Sequence, residues 1–173
     1  DASKRETHHG GAGFKKLFRR LKASYKVTNN KEDFGILKTV DVLVIACPRD
    51  RFSSDELAEL RGFVEDGGSL LVASCEGGEA TLGSNLNELL APYSIMAQGD
   101  CVLRAAFYKY LHPKEVFVSH GVLLPEIVEQ KEKLSKKAAK PKSFETLKGG
   151  GLDFVYPRGS TLSVQRPARA VLS

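Results

Sequence analysis

Cysteine is scarce in this sequence. Only Cys47, Cys75 and Cys101 occur in 173 residues, an odd and sparse set that builds no disulfide framework. Two of the three fall at the ends of apolar runs, which favours reduced thiols in a reducing, cytoplasmic setting. Long hydrophobic runs are also missing: none approaches the roughly 18–20 residues that a membrane helix needs, so membrane insertion is not expected. The opening Asp1-Ala2-Ser3-Lys4 lacks the charged-then-apolar layout of a signal peptide. No C-x-x-C or H-x-x-x-H spacing is present; His8 and His9 are adjacent and diverge, and His112 and His120 have no ligand-spaced partner, so no metal is expected. Gly10-Gly11-Ala12-Gly13 precedes a helical pattern and could cradle a phosphate. It lacks G-x-x-x-x-G-K-[ST] and the third glycine of the dinucleotide fingerprint, so it reads as a strand-to-helix connection and no cofactor is expected.

What is present is the composition of a soluble globular domain, 42% hydrophobic and 27% charged. The length suits one domain with a substantial core, and no internal repeat divides it. The formal net charge of +5 is uneven, with Lys and Arg concentrated in residues 15–26 and 131–148. Such a balance serves nucleic acid, acidic lipid or an acidic protein equally well.

The stretch from Val40 to Gly78 organises the rest. Val42-Leu43-Val44-Ile45-Ala46 is short, apolar and β-branched, the pattern of a strand buried on both faces. Ser53 with Glu56 forms a capping box, and Phe52 with Leu57 a hydrophobic staple. Leu57, Leu60, Phe63 and Val64 make the inward stripe of the helix that follows, and Gly67-Gly68 ends it. Leu70-Leu71-Val72-Ala73 completes a βαβ crossover. The expected fold class is therefore α/β, a Rossmann-like three-layer sandwich with a largely parallel sheet.

Elsewhere, Phe14, Leu17, Phe18, Leu21 and Tyr25 follow the spacing of one buried helical stripe over residues 14–26. Asn85 to Leu90 reads as a short helix, and Tyr93 to Ala97, Cys101 to Leu103 and Val116 to Val118 as strands. Pro125 opens a further helix. Phe154 to Tyr156 and Thr161 to Val164 are two strands meeting at a Pro157-Arg158-Gly159 turn. Asp1-Ala2-Ser3 suits the end of an upstream strand and Ala170-Val171-Leu172 the start of another. The expectation is one domain over 1–173, truncated at both ends, with a lysine-rich exposed segment at 129–150.

Two places carry candidate chemistry. Parallel strands put Cys47-Pro48-Arg49-Asp50 and Cys75-Glu76-Gly77-Gly78-Glu79 on the carboxyl edge of the sheet, where open α/β folds place ligands. Ala73-Ser74-Cys75-Glu76-Gly77 partly resembles a nucleophile elbow. Its first glycine is replaced by Ala73, however, and no His-x-Glu follows downstream to activate a thiol. A Cys75-dependent amidotransferase or hydrolase, and a small-ligand or sugar-binding module using Arg49, Cys75, Glu76, Gly77 and Gly78, are the alternatives this edge leaves open. The second place is the basic face of the first helix, with Lys15, Lys16, Arg19, Arg20 and Lys22 available to an acidic partner. No nucleic-acid motif accompanies it.

Several blocks together resemble the N-terminal domain of the intraflagellar transport protein 52 family. They are Pro48-Arg49-Asp50-Arg51-Phe52-Ser53, the helix to Gly67-Gly68, Cys75-Glu76-Gly77-Gly78-Glu79, Asn85-Leu86-Asn87-Glu88-Leu89-Leu90 and Tyr93-Ser94-Ile95-Met96. Tyr108-Lys109-Tyr110-Leu111-His112-Pro113-Lys114-Glu115 and Tyr156-Pro157-Arg158-Gly159-Ser160-Thr161-Leu162-Ser163-Val164 continue the series. The resemblance implies a GIFT-type domain, similar to the glutamine-amidotransferase-like fold but without its catalytic set. It implies a non-enzymatic core subunit of intraflagellar transport complex B, needed to assemble and maintain cilia and flagella and residing there and at the basal body. The implied partners are other complex B subunits, tetratricopeptide-repeat ones included, held mostly by regions outside this chain. Neither nucleic acid nor a cofactor is implied.

Overall fold

The computed structural model describes residues 1–105, 112–119, 121–122 and 154–172. The aromatic set Phe107, Tyr108 and Tyr110, the helix opened by Pro125 and the lysine-rich segment at 129–150 lie outside them.

The Val40 to Gly78 stretch folds as its pattern dictates. Strand β1 (Val42–Ala46) pairs in parallel with β2 (Ser69–Ala73), Ala46 opposite Ala73, across helix α2 (Ser54–Glu65). The capping box is present: Ser53 Oγ accepts from Glu56 N–H at 3.2 Å, and Ser53 N–H donates to Glu56 Oε2 at 2.7 Å. At the other end Gly67, at φ 96°, takes the left-handed conformation. The Gly68 N–H then reaches back to the Phe63 carbonyl and the Gly67 N–H to that of Val64. A side chain at Gly68 would collide with the Phe63 ring.

Strand alternation decides the core. Leu43 and Ile45 point to the α2 side and are buried with Phe34, Phe52, Leu57, Leu60, Phe63, Leu86 and Leu89. Burial of each such large side chain is worth about 1.5–3 kcal/mol. The opposite face differs from expectation. Val42 is 57% exposed and Leu71 58% exposed, so among the described residues these strands are covered on one face.

The expected largely parallel, Rossmann-like three-layer sandwich is not formed. The β1–β2 pair is the one parallel pair of strands among the described residues. Short strand β3 (Ile95–Ala97) pairs antiparallel with β6 (Leu162–Val164), and β4 (Glu115–Val118) pairs antiparallel with β5 (Phe154–Pro157). Helices α3 (Gly78–Leu82) and α4 (Leu86–Leu90) are single turns between β2 and β3. One reason β3 stays apart is visible at its free edge. The Asn87 amide accepts from Ala97 N–H at 2.8 Å and donates to the Ala97 carbonyl at 3.0 Å, filling the place of a neighbouring strand. The Pro157-Arg158-Gly159 turn likewise joins strands of two different sheets and not a hairpin.

Smaller expectations are corrected too. Ala91–Tyr93 is a 3₁₀ turn, and Ser94 at φ 60° delays the strand to Ile95. Cys101 to Leu103 is not a strand; Val102 N–H makes a single bond to the Gly159 carbonyl. Leu172 makes an isolated bridge to Val122. Helix α1 (Lys15–Leu21) has seven residues, and none is buried. Its supposed inward stripe leaves Leu17 48% and Tyr25 68% exposed, because the β1 face it approaches is left open as a groove of about 680 Å³.

Candidate functional site

The carboxyl edge of β1 and β2 gathers the residues singled out above. Cys47 closes β1, with its N–H donating to the Ala73 carbonyl at 2.8 Å and its backbone at φ 54°. Arg49 leaves that edge: its Nε donates to Thr7 Oγ1 at 3.1 Å and its N–H to the Lys4 carbonyl at 2.9 Å. The N-terminal segment therefore covers the loop. Lys4 adds an ion pair to Glu56 at 2.6 Å.

The glycine-rich loop after β2 is covered from the other side. Glu76 is its hub, with Lys114 Nζ 2.6 Å from Oε2, Arg158 NH1 3.4 Å from Oε1, and Cys101 Sγ donating to Oε2 at 3.2 Å. These contacts hold the Glu76 carboxyl below its usual range, the hydrogen bond from Lys114 contributing most, then that from Cys101, with burial opposing. Gly77 N–H donates to the Asp100 carbonyl at 2.9 Å. Gly78 is buried at φ 53° so close to the Gln98 carbonyl that a Cβ would lie 2.6 Å from it. Asp100 in turn accepts from the Thr161 amide at 2.7 Å and hydroxyl at 2.5 Å. Cys75, Glu76, Gly77 and Gly78 thus sit together beneath side chains and backbone of their own chain.

Cys75 has a partly buried thiol that donates to the Glu76 carbonyl at 3.6 Å. No base addresses it among the described histidines. The His9 ring accepts from Gly11 N–H, the His112 ring accepts from Lys114 N–H, and His8 packs on Phe14. His120 lies outside the described residues. No group of three or more metal-ligating side chains occurs among those described, and none of their helices is long and apolar enough to cross a membrane.

The basic candidates are brought together by α1. Lys15, Lys16, Arg19, Arg20 and Lys22 are all exposed, and Lys22 Nζ stands 4.7 Å from the Phe18 ring centre. The same helix flanks the open groove over β1 through Leu17, Phe18 and Leu21, with Phe14, Val42 and Val44 also in the lining.

Two positional features escaped sequence reasoning. The Asn85 amide sits buried between two backbone groups, accepting from Phe52 N–H at 2.7 Å and donating to the Phe52 carbonyl at 3.0 Å. The role of Lys114 and Arg158 as partners of Glu76 depends on β4 and β5 pairing, which brings the two cations together. Their signal in sequence was the presence of cations in otherwise turn-forming blocks, which names no partner.

Comparison with known proteins accords with this arrangement. The family model described as the IFT52 GIFT domain matches residues 1–173. The intraflagellar transport protein 52 homolog of Mus musculus is 39% identical over 178 residues, covering 100% of this chain and 41% of its own length. That of Homo sapiens is 37% identical, covering 100% of this chain and 40% of its own. This chain thus spans about two-fifths of those relatives, 41% and 40%. A solved structure described as the mmIFT52 N-terminal domain superposes with a TM-score of 0.83 at 40% identity, over 99% of this chain and 70% of that one. The chain belongs to the IFT52 GIFT domain family.

Proposed function

We propose that this domain is a non-enzymatic scaffold module of an intraflagellar transport complex B subunit. It acts by protein–protein contact in the assembly and maintenance of cilia and flagella. Its partners are other complex B subunits, tetratricopeptide-repeat ones included, held mostly by regions outside this chain. It works in the reducing cytoplasm, at the basal body and along the cilium or flagellum. The full-length similarity to the IFT52 GIFT domain carries this reading. The covered carboxyl edge supports it, since Glu76, Gly77 and Gly78 are engaged by Lys114, Arg158, Asp100 and Gln98 instead of lining an open cradle.

Within this reading the exposed α1 face is the part of the domain that meets an acidic partner surface. None of Lys15, Lys16, Arg19, Arg20 and Lys22 is in an ion pair among the described residues, so their charge is available. The test uses the full-length protein in ciliated cells that lack their own copy. Wild type is expected to co-purify with complex B subunits and restore cilia. Lys16→Glu, Arg19→Glu and Arg20→Glu combined are expected to weaken that association without changing the melting temperature of the domain. Failure of the wild type to associate sinks the scaffold reading; unchanged assembly by the reversed variant sinks the α1 surface alone.

A further inference from the structure

The basic helix α1 ends beside an unused hydroxyl. Between Phe14 and Tyr25 and on to Lys26 the sequence holds Lys15, Lys16, Arg19, Arg20, Lys22 and Lys26, and no acid. Ser24 stands among them, with Arg19, Arg20 and Lys22 before it and Lys26 two residues after. It lies in the turn that follows the helix. Its N–H donates to the Leu21 carbonyl at 3.0 Å, and the Tyr25 N–H donates to the same carbonyl at 2.9 Å. That turn keeps Ser24 one helical step from Arg20, four residues back. Residues 22–26 are all exposed, and the Ser24 hydroxyl has no hydrogen bond among the described residues. No side chain of α1 is buried, so local opening of this segment costs little.

We propose that Ser24 is a phosphorylation site for a Ser/Thr kinase that reads cations on both sides of its target, and that the phosphate switches off the basic face of α1. The Ser24 oxygen attacks the γ-phosphorus of a magnesium-bound nucleoside triphosphate. The new O–P bond forms as the bond to the β-phosphate oxygen breaks, the nucleoside diphosphate leaves, and the hydroxyl proton passes to the kinase's base. Hydrolysis by a phosphatase restores the hydroxyl and releases inorganic phosphate. A phosphoserine adds about 1.5–2 negative charges, so the face keeps the equivalent of about four of its six cations. Arg20 and Lys22, the nearest along the chain, are drawn to pair with the phosphate and are no longer free for a partner. The phosphate also meets the negative end of the α1 dipole, which loosens the last turn.

Sequence pattern alone would offer a second site of this kind. Ser54 is exposed and follows Arg49 and Arg51. Asp55 and Glu56 come directly after it, however, and Phe52 two residues before is buried in the core that α2 packs on. The bonds between Ser53 and Glu56 hold its backbone in the first turn of α2. Drawing the chain around Ser54 into a kinase cleft requires opening that core, and drawing out Ser24 does not. The consequence for complex B rests on the α1 docking reading above; the modification and its effect on charge do not.

The experiment incubates the folded full-length protein with magnesium ATP and the protein kinase C catalytic domain, which selects serines flanked by cations, and in parallel with an acid-directed kinase. Phosphopeptide mapping is expected to find phosphate on Ser24 with the first kinase and none there with the second. Ser24→Ala abolishes that phosphopeptide and Ser54→Ala leaves it. Binding to immobilised poly-glutamate is expected to weaken about tenfold on phosphorylation, as it does for Arg20→Glu, which makes a similar change of charge. Ser24→Ala binds like wild type with or without kinase treatment. An unmodified Ser24, phosphate taken up there only after denaturation, or unchanged poly-glutamate binding by the phosphorylated protein would each overturn the proposal. Weakened poly-glutamate binding with unchanged recovery of complex B subunits from ciliated cells would uphold the Ser24 switch and sink the α1 docking reading instead.

Discussion

Glu76 sits in a glycine-rich loop, yet its carboxylate meets Lys114, Arg158 and Cys101, which come from three other segments. A carboxyl whose folded pKa is depressed contributes stability above its ordinary value and loses it as pH falls through the folded one. The melting temperature is expected to drop with acidification through and below the usual carboxylate range, and Glu76→Gln to flatten that part of the profile. Melting curves across pH decide it: an identical acid limb in the variant would show that the hub adds nothing. Asn85 acts at the same scale by different means. Its amide satisfies both backbone groups of buried Phe52, so Asn85→Ala leaves a donor and an acceptor unpaired. The expected loss is about 2–4 kcal/mol, read as a shift in the urea midpoint with unchanged slope. Asn→Ala at Asn30, whose hydrogen bonds are exposed to solvent, provides the contrast.

Among the elements, α2 and α1 are opposites. Helix α2 has a capping box, a glycine stop and three buried side chains, Leu57, Leu60 and Phe63. Ser53→Ala is expected to cost about 1 kcal/mol through the lost cap, measurable by chemical denaturation. Helix α1 has seven residues, no side-chain cap and none buried. Isolated helices shorter than roughly 12–15 residues are marginal in water, so α1 depends on what it touches. Its amides are expected to exchange with solvent far faster than those of α2 in hydrogen-exchange measurements. Equal protection in the isolated domain would contradict the one-sided packing described. The helical spacing of Phe14, Leu17, Phe18, Leu21 and Tyr25 was legible; its burial was not, because burial needs a surface to pack against.

At the scale of the molecule, one core among the described residues joins α2, β1, β2 and α4, and two small antiparallel sheets are described beside it. Leu60 lies fully buried at its centre. Leu60→Ala is expected to cost about 2–5 kcal/mol, against little change for Leu17→Ala on α1. Comparable losses at both positions would mean that the core extends under α1. The carboxyl edge is held by long-range contacts: the N-terminal segment through Lys4 and Thr7, and the β4–β5 sheet through Lys114 and Arg158. The edge of the βαβ unit is thereby covered by its own chain.

Local chemistry determined what is local. Ser53 with Glu56 and Gly67-Gly68 specify a helix and its ends through contacts within a few residues, and both are found as read, with Phe52 and Leu57 buried in the same core. The positions of β1, β2, β4 and β5 followed from short apolar runs, within a residue or two. Direction and partner followed for β1 and β2 from the crossover helix between them, but not for the later strands, since period-two alternation is the same in parallel and antiparallel pairs. Only tertiary structure put β3 with β6 and β4 with β5 and let the Asn87 amide close an edge. It alone brought Lys114 and Arg158 to Glu76. Such meetings depend on chain crossings tens of residues apart, and no local propensity encodes those.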